Sequence, residues 1–157
     1  RKVASYGRAF GMNVIGYDRN PNKISDYISM ASSLKELIIN SDVISIHIHA
    51  TPENYNLLSK KILSYMKSDA CLINTSRGEI VDEIELVNML KNEKIAGYAA
   101  DVVENELGDN KTPLQEYATS APSNLLLTPH LGGFTVESRF KAEIFMANKF
   151  VEFKLKW

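Results

Sequence analysis

Short runs of apolar residues recur along the chain, separated by segments in which apolar residues fall at helical spacing. The runs predict buried strands at residues 13–17, 43–48, 70–73, 96–100 and 125–127. They are apolar throughout rather than alternating, which is typical of parallel strands covered on both faces. The predicted order is therefore helix then strand, repeated four times, followed by a loop, a fifth strand and a final helix.

The helical segments carry their own start and stop signals. Ser33, Ser59 and Asp82 each precede an apolar helical stripe, and they predict N-caps. An apolar stripe at the start of the chain stops near Gly11, which predicts a C-terminal glycine. Residues 136–157 predict a last amphipathic helix rich in aromatic side chains, which we expect to dock on another segment or another chain.

This alternation predicts an α/β fold with a doubly wound parallel sheet of the Rossmann type, in which ligands bind at the carboxyl ends of the strands. Residues 103–124 break the rhythm and predict a long functional or mobile loop. The sequence contains no Gly-x-Gly-x-x-Gly, the turn that normally binds the dinucleotide phosphates, and its first residue is not Met. We expect the first strand and the glycine-rich loop to lie upstream of Arg1.

Composition and charge narrow the class of protein. The chain has 157 residues, 45% of them hydrophobic, which fits one compact domain. A balance of 18 Lys and Arg against 19 Asp and Glu gives a net charge of −1, so no overall basic excess attracts nucleic acid or an anionic membrane. No apolar stretch approaches the roughly 20 residues of a membrane span, and no signal peptide is evident. The single cysteine, Cys71, forms no intrachain disulfide, so we expect a cytoplasmic protein.

The first candidate site residue is Asp18, directly after the first predicted strand. An acidic residue at this point of a dinucleotide-binding fold accepts hydrogen bonds from the adenosine ribose, which favours NAD over NADP. A simple turn aspartate is the alternative interpretation. The adjacent Arg19 is also suited to binding the additional phosphate of NADP.

Two further candidates follow later strands. Arg77 follows the third, where its guanidinium fork suits a carboxylate, although a surface arginine in a turn is the alternative. His130 follows the fifth, between Pro129 and a pair of glycines, and it is a candidate acid/base because imidazole changes charge near neutral pH. A structural histidine is the alternative, as it is for His47 and His49.

An acidic cluster follows the fourth predicted strand, at Asp101, Glu104 and Glu106. Such clusters are typical of solvated loops or of metal ligands. No histidine or cysteine lies at ligand spacing nearby, so we predict no metal site.

Four motifs follow one another in an order that points to a known family. Residues 45–53 end in Thr-Pro-Glu, and residues 74–83 read Asn-Thr-Ser-Arg-Gly-Glu-Ile-Val-Asp-Glu. Asp101-Val102 and Thr128-Pro129-His130 complete the set. Together they resemble the NAD-binding domain of the D-isomer-specific 2-hydroxyacid dehydrogenases, over essentially the whole chain. Within that family the phosphoglycerate and glycerate dehydrogenase branches are the most similar.

The resemblance implies a catalytic triad. Arg77 would bind the substrate carboxylate and the neighbouring oxo group, and His130 would be the acid/base. Glu106 would hydrogen-bond His130 and favour its protonated form. The reaction would be hydride transfer between nicotinamide C4 and C2 of a small 2-hydroxy or 2-oxo acid. The implied cofactor is NAD, and the residues implied to contact it are Asp18 on the adenosine ribose, Asp101 near the nicotinamide amide, and His49, Asn54, Thr75, Ser76, Arg77 and Gly132.

The chain departs from the family pattern at a few positions. His49 replaces a common proline, so adenine packing differs, while Leu107 follows Glu106 in place of a proline and Phe134 replaces a small residue. None of these removes a catalytic residue. The family's substrate domain is missing, so we expect residues 1–157 to form a partial dinucleotide-binding domain with little turnover by itself.

Two alternatives remain open beside the enzyme. One is an NAD(H)-sensing protein of the family's corepressor branch, which binds protein partners and keeps the same triad. The other is an inactive remnant. The absence of a visible tail or basic segment favours the enzyme. The resemblance further implies a homodimer, and it leaves open which 2-hydroxy acid is the substrate.

Overall fold

A computed structural model of the chain describes residues 1–20 and 28–154. The predicted end of the last helix, residues 155–157, lies outside the described residues. The helices and strands in chain order are α1 (Lys2–Ala9), β1 (Ile15–Gly16), β2 (Ser29–Met30), α2 (Leu34–Asn40), β3 (Val43–Ile46), α3 (Lys60–Leu63), β4 (Cys71–Asn74), α4 (Glu83–Lys91), β5 (Gly97–Ala100), α5 (Pro113–Ala118), β6 (Leu125–Leu127) and α6 (Val136–Lys154). Two 3₁₀ turns, Pro52–Asn54 and Gly78–Ile80, follow β3 and β4.

The strands confirm the predicted α/β class, because every pair between them is parallel and helices lie between successive strands from β2 to β6. Four strands form one sheet in the order β3-β4-β5-β6, and β1 pairs with β2 in a separate two-stranded sheet. In the doubly wound order 3-2-1-4-5-6, strand 1 lies between strands 2 and 4. When β1 and β2 are counted as strands 2 and 3 of that order and β3 as strand 4, the break between the two sheets falls at the position of strand 1.

The four-stranded sheet buries one face more completely than the other. Ile44, Leu72 and Tyr98 are paired across β3, β4 and β5 and are at most 5% exposed. Their strand neighbours on the opposite face, such as Ile73 and Ala99, are only half-buried. The prediction of strands buried on both faces is therefore met on one face of the described sheet only. The core cluster that contains Ile44, Leu72 and Tyr98 also includes four fully buried helix residues, Ile38, Leu63, Leu86 and Leu90.

Two of the predicted N-caps make the expected bonds. The Ser33 hydroxyl accepts from the Glu36 N–H at 3.1 Å and the Asp82 carboxylate from the Glu85 N–H at 3.0 Å. Ser59 occupies the N-cap of α3 without a side-chain bond. α2 and α4 thus begin where the sequence predicts, because each cap pairs an amide that lacks a partner within its helix.

Two elements were not predicted. β2 lies where no strand was expected and consists of two exposed residues paired with β1. α5 lies inside the predicted loop 103–124 and begins with a capping box, in which Thr112 and Gln115 exchange side-chain and backbone hydrogen bonds. The loop prediction was wrong for these six residues, because that local capping signal and Pro113 at the first helical position start a helix.

The first and last helices differ from the central ones. Neither α1 nor α6 contains a buried residue. The predicted stripe of α1 is exposed, with Phe10 at its end 82% accessible, and α6 exposes Phe140, Ile144 and Phe150. No helix within the described ranges is long and apolar enough to cross a membrane.

Candidate active site

Three of the predicted site residues follow three adjacent parallel strands. The end of β4, at Asn74, pairs with the end of β5, which in turn pairs with the end of β6. Arg77, Asp101 and His130 come directly after these strands. Because parallel strands have their carboxyl ends at one edge, all three residues start from the same edge of the sheet.

The side chains of His130 and Glu106 are hydrogen-bonded to each other at this edge. The imidazole Nδ1 lies 2.7 Å from Oε2 of Glu106, and both side chains are about a third exposed, at 36% and 33%. An ionised carboxylate only accepts hydrogen bonds, so Nδ1 carries the proton of this bond and Nε2 is the nitrogen left for exchange with a bound molecule. The pair has the arrangement of an acid/base group oriented by a carboxylate.

Asp101 holds the loop that presents His130. One carboxylate oxygen accepts from the Thr128 hydroxyl and from the Leu131 N–H at 2.8 Å, and the other accepts from the Gly132 N–H at 2.7 Å. His130 itself has φ 53°, in the left-handed region that a side chain with a Cβ seldom adopts. Such a conformation persists when its surroundings fix it, and the three bonds to Asp101 do so on both sides of the residue.

The pKa of Asp101 reports the same contacts. Partial burial raises it, but the Thr128 hydroxyl, the N–H groups of Gly132 and Leu131 and the nearby His130 together bring it below its usual range. A carbon at the Cβ position of Gly132 would lie 2.9 Å from the carboxylate, so a larger residue would push the loop away. Asp101 thus acts as an anion that organises the loop, and its predicted contact with nicotinamide stays a prediction.

Arg77 lies in a turn fixed from below by Asn74, which is fully buried. The Asn74 amide donates to the Arg77 carbonyl at 2.9 Å and accepts from the Ser76 N–H at 3.0 Å, while the Ser76 hydroxyl donates to the Ile48 carbonyl. Arg77 is exposed, and its Nη1 donates to the Ser76 carbonyl at 2.7 Å. Thr75 is exposed at the start of the same turn.

The turn after Arg77 packs directly on the segment after β5. A Cβ on Gly78 would lie 1.9 Å from the carbonyl carbon of Val103 and 2.1 Å from the nitrogen of Glu104, so only glycine allows this approach of two backbones. Tyr55 adds a contact from the loop after β3, since its hydroxyl donates to the Glu104 carboxylate at 2.7 Å. Loops after β3, β4 and β5 therefore meet at Glu104.

The predicted adenosine-side residues form a second cluster. Asp18 follows β1, and its carboxylate accepts from the Asn20 N–H at 2.7 Å. The next residue, Arg19, donates to the side chain of buried Asn54, and Asn54 donates to the His49 carbonyl at 2.8 Å. The ends of β1 and β3 are therefore connected, with Asp18, His49 and Asn54 in one corner.

His47 also lies in this corner. Its Nε2 is 2.9 Å from the Ser45 hydroxyl, and partial burial lowers the pKa of His47. A cleft of about 290 Å³ opens between the loop after β3 and the turn after β4, and it is lined by Ala50, Thr51, Pro52, Asn54, Tyr55, Glu79 and Ile80.

The structure thus gathers the predicted residues into two clusters. His130, Glu106, Asp101 and Gly132 form one, and the Arg77 turn packs through Gly78 on the backbone of Val103 and Glu104, in the segment between Asp101 and Glu106. The sequence analysis missed the residues that support this cluster: Asn74, Thr128, Tyr55 and Glu83. Asn74 had a signal, because a polar residue that ends an apolar strand needs partners when buried. Within the described ranges, no group of three or more His, Cys, Asp or Glu side chains is arranged to hold a metal ion.

The chain is similar in sequence and fold to known oxidoreductases. The glyoxylate reductase of Aeropyrum pernix is 36% identical over 154 residues, which are 97% of this chain and 44% of that enzyme. The D-lactate dehydrogenase of Aquifex aeolicus, solved with NAD and lactic acid, superposes with a TM-score of 0.84 and 31% identity over 99% of this chain and 51% of its own.

A third similar protein was solved with a different cofactor. It is the acyclic imino acid reductase Bsp5, in complex with NADPH and D-Arg, with a TM-score of 0.84 and 31% identity over 98% of this chain and 47% of its own. The chain spans about half the length of each of these proteins. Residues 1–132 match the family described as D-isomer specific 2-hydroxyacid dehydrogenase, NAD binding domain. The chain therefore belongs to the NAD-binding domain family of the D-isomer specific 2-hydroxyacid dehydrogenases.

Proposed function

We propose that this chain is part of the dinucleotide-binding domain of an NAD-dependent dehydrogenase that interconverts small D-2-hydroxy acids and 2-oxo acids. The observation that carries the proposal is the 2.7 Å pair between His130 Nδ1 and Glu106. A carboxylate on one ring nitrogen orients the imidazole and leaves the other nitrogen to transfer a proton. The family match over residues 1–132 supports the same reaction class.

His130 gives the proton that the reduced oxygen needs. When bound, NAD supplies the hydride acceptor or donor at nicotinamide C4. During reduction of a 2-oxo acid, Nε2 of His130 donates a proton to the oxo oxygen, and during oxidation it removes that proton. Glu106 keeps its bond to Nδ1 in both directions, so it orients the ring and stabilises the imidazolium.

Arg77 provides the anion site. Its guanidinium lies on an exposed turn, and within the described part of the chain its hydrogen bond runs from Nη1 to the Ser76 carbonyl. The rest of the fork is suited to a bidentate bond with the substrate carboxylate. Asn74, fully buried beneath the turn, fixes the position from which Arg77 reaches the substrate.

The second cluster fits a dinucleotide. Asp18 places a carboxylate acceptor after β1, and its bond to the Asn20 N–H fixes it there. Arg19 is held by Asn54, so it is not directed to the additional phosphate of NADP. We infer that Asp18 binds the adenosine ribose and selects NAD, with His49 and Asn54 beside it and Thr75, Ser76 and Asp101 on the nicotinamide side.

The test uses the complete gene product that carries this chain. NADH oxidation is followed with pyruvate, glyoxylate and hydroxypyruvate. His130→Ala is expected to lower kcat about 10²–10⁴-fold, the usual contribution of a general acid, and Arg77→Ala to raise KM for the oxo acid. Lys94→Ala is the control, since Lys94 is exposed before β5, at the opposite end of that strand from Asp101. Full activity of His130→Ala would refute the assigned role.

Cofactor choice is tested separately. With NADPH we expect a much lower kcat/KM than with NADH, and Asp18→Ala is expected to reduce that preference. Asp109→Ala removes one exposed carboxylate from another loop and serves as the control. Equal rates with both cofactors in the unmodified protein would contradict the role of Asp18. For residues 1–157 alone we expect little turnover.

We also propose that the intact protein is a cytoplasmic homodimer. The apolar face of α6, with Phe140, Phe150 and Phe153 at least 60% exposed, supports an interface. Cys71 is a free, half-buried thiol, which suits a reducing compartment. Sedimentation of the intact protein at several concentrations tests the dimer, and a monomer at all of them would contradict it.

A further inference from the structure

Glu83 is a buried carboxylate that the mechanism does not use. It is the first residue of α4, it is 2% exposed, and it follows the Arg77 turn by a few residues. Carboxylates are almost never buried without partners, since removing the charge from water is unfavourable. A specific contact must therefore account for its position.

That contact is with the segment leading to Glu106. One oxygen of Glu83 accepts from the Glu104 N–H at 2.5 Å, and the other, Oε2, is buried with no hydrogen-bond partner among residues 1–20 and 28–154. Burial raises the pKa of Glu83, and the Glu104 N–H, followed by Thr112 and Leu114 at the start of α5, opposes the rise. The Glu104 N–H is therefore the strongest of the three contacts that offset the burial of this carboxylate.

The same backbone is clamped from two further sides. Gly78 packs against the peptide between Val103 and Glu104, leaving no space for a Cβ, and the Tyr55 hydroxyl donates to the Glu104 side chain. Glu106 is two residues further along. A shift at Glu104 is therefore transmitted directly to the carboxylate that lies 2.7 Å from His130.

We propose that Glu83 is a positioning residue that fixes, through the Glu104 amide, the loop carrying Glu106. The bond makes the geometry of the acid/base pair depend on α4, which begins after the 3₁₀ turn Gly78–Ile80 that follows Arg77. Glu83 thus joins the carboxylate-binding turn and the proton-transfer pair into one unit. The proposal rests on the proposed function for the role of the pair, whereas the coupling itself is a property of this chain.

The test compares Glu83→Leu with Glu83→Gln. Leucine fills a similar volume and accepts no hydrogen bond, while glutamine keeps one oxygen for the Glu104 N–H. The readout is the NMR signals of the His130 ring in ¹⁵N-labelled chain, with Glu106→Gln as the reference for an altered pair. His47 and His49 are internal controls, since they lie after β3.

We expect Glu83→Leu to move the His130 ring signals towards those of Glu106→Gln, with His47 and His49 unchanged. Glu83→Gln is expected to retain the unmodified His130 signals. If Glu83 only stabilised the fold, Glu83→Leu would lower the free energy of unfolding without a shift confined to the His130 ring signals. A folded Glu83→Leu chain with unmodified His130 signals would overturn the proposal.

Amide exchange in the unmodified chain keeps the proposal testable if Glu83→Leu does not fold. The Glu104 N–H is expected to exchange far more slowly than that of Leu107, which is fully exposed. Equally fast exchange of both amides would overturn the proposal. If the complete protein shows no dehydrogenase activity while the His130 signals still follow Glu83, the proposed function fails and the coupling stands.

Discussion

Replacing Asp101 by asparagine tests how the His130 loop is held. The carboxylate receives three donors: the Thr128 hydroxyl, the Leu131 N–H at 2.8 Å and the Gly132 N–H at 2.7 Å. Asparagine keeps one acceptor oxygen and places an NH₂ group where the second oxygen was. With the retained oxygen facing Thr128 and Leu131, the Gly132 N–H faces another donor.

The expected cost follows from these contacts. A hydrogen bond to a charged group contributes about 1.5–3 kcal/mol, and a buried donor left unpaired costs about 1–3 kcal/mol. These terms overlap for Gly132, and the other two bonds weaken when the charge is removed. We expect Asp101→Asn to lower the free energy of unfolding by roughly 2–4 kcal/mol, a large part of the 5–15 kcal/mol typical of a domain.

The assay is urea unfolding followed by circular dichroism, with Asp109→Asn as the control. Asp109 is exposed, so its replacement makes the same change of charge without losing these bonds. We expect a change within about 0.5 kcal/mol for that control. A loss for Asp101→Asn no larger than the control's would refute the assignment of Asp101 as the residue that holds the loop.

The pH dependence gives a second check with a definite sign. Partial burial raises the pKa of Asp101, but the three hydrogen bonds and nearby His130 lower it by more. The pKa of Asp101 is therefore lower in the folded chain than in the unfolded chain. A depressed pKa stabilises the fold above the unfolded-state pKa, and this stabilisation is lost as pH falls through the folded-state pKa. The difference between the unmodified chain and Asp101→Asn is therefore expected to shrink in acid. A difference that stays constant into strong acid would contradict this argument.

Two further predictions concern the scaffold. Leu72→Ala, at a fully buried position in β4, is expected to cost about 2–5 kcal/mol of unfolding free energy, whereas Leu126→Ala, 63% exposed, costs under about 1 kcal/mol; equal urea midpoints would contradict the burial pattern. Asp82→Ala removes the cap of α4, whose carboxylate accepts from the Glu85 N–H at 3.0 Å, and is expected to cost about 0.5–2 kcal/mol. Asp82→Ser is expected to recover most of that loss, and a serine variant as unstable as the alanine one would exclude the capping explanation.

The sequence predicts the central elements well because their signals are local. β4 and β5 lie within one residue of two apolar runs, and the caps at Ser33 and Asp82 are placed correctly. β2 was missed because its two exposed residues form a strand only by pairing with β1. α5 was missed although Thr112 and Gln115 carried its capping signal, since six residues within a polar stretch show little periodicity.

The candidate site likewise contains some residues that the sequence predicts and others whose roles only the structure shows. Arg77, Glu106 and His130 come from short motifs that can be identified without coordinates. The roles of Asp101 and Glu83 depend on partners up to 31 and 21 residues away along the chain, so no local pattern reveals them. Each of these two long-range bonds has a backbone N–H as its donor, and a backbone amide has no identity in the sequence.

The strand order of the four-stranded sheet has a consequence for how the protein is made. Each strand from β4 to β6 pairs with the strand that precedes it in the chain, so the sheet can grow from β3 in the direction of synthesis. Pairing between distant residues closes slowly, and 24 residues separate Glu106 from His130. The Arg77 turn can form once β4 and β5 are paired, whereas the His130 loop waits for β6. A ribosome-bound chain that stops before residue 125 is therefore expected to carry the Arg77 turn without the proton-transfer pair.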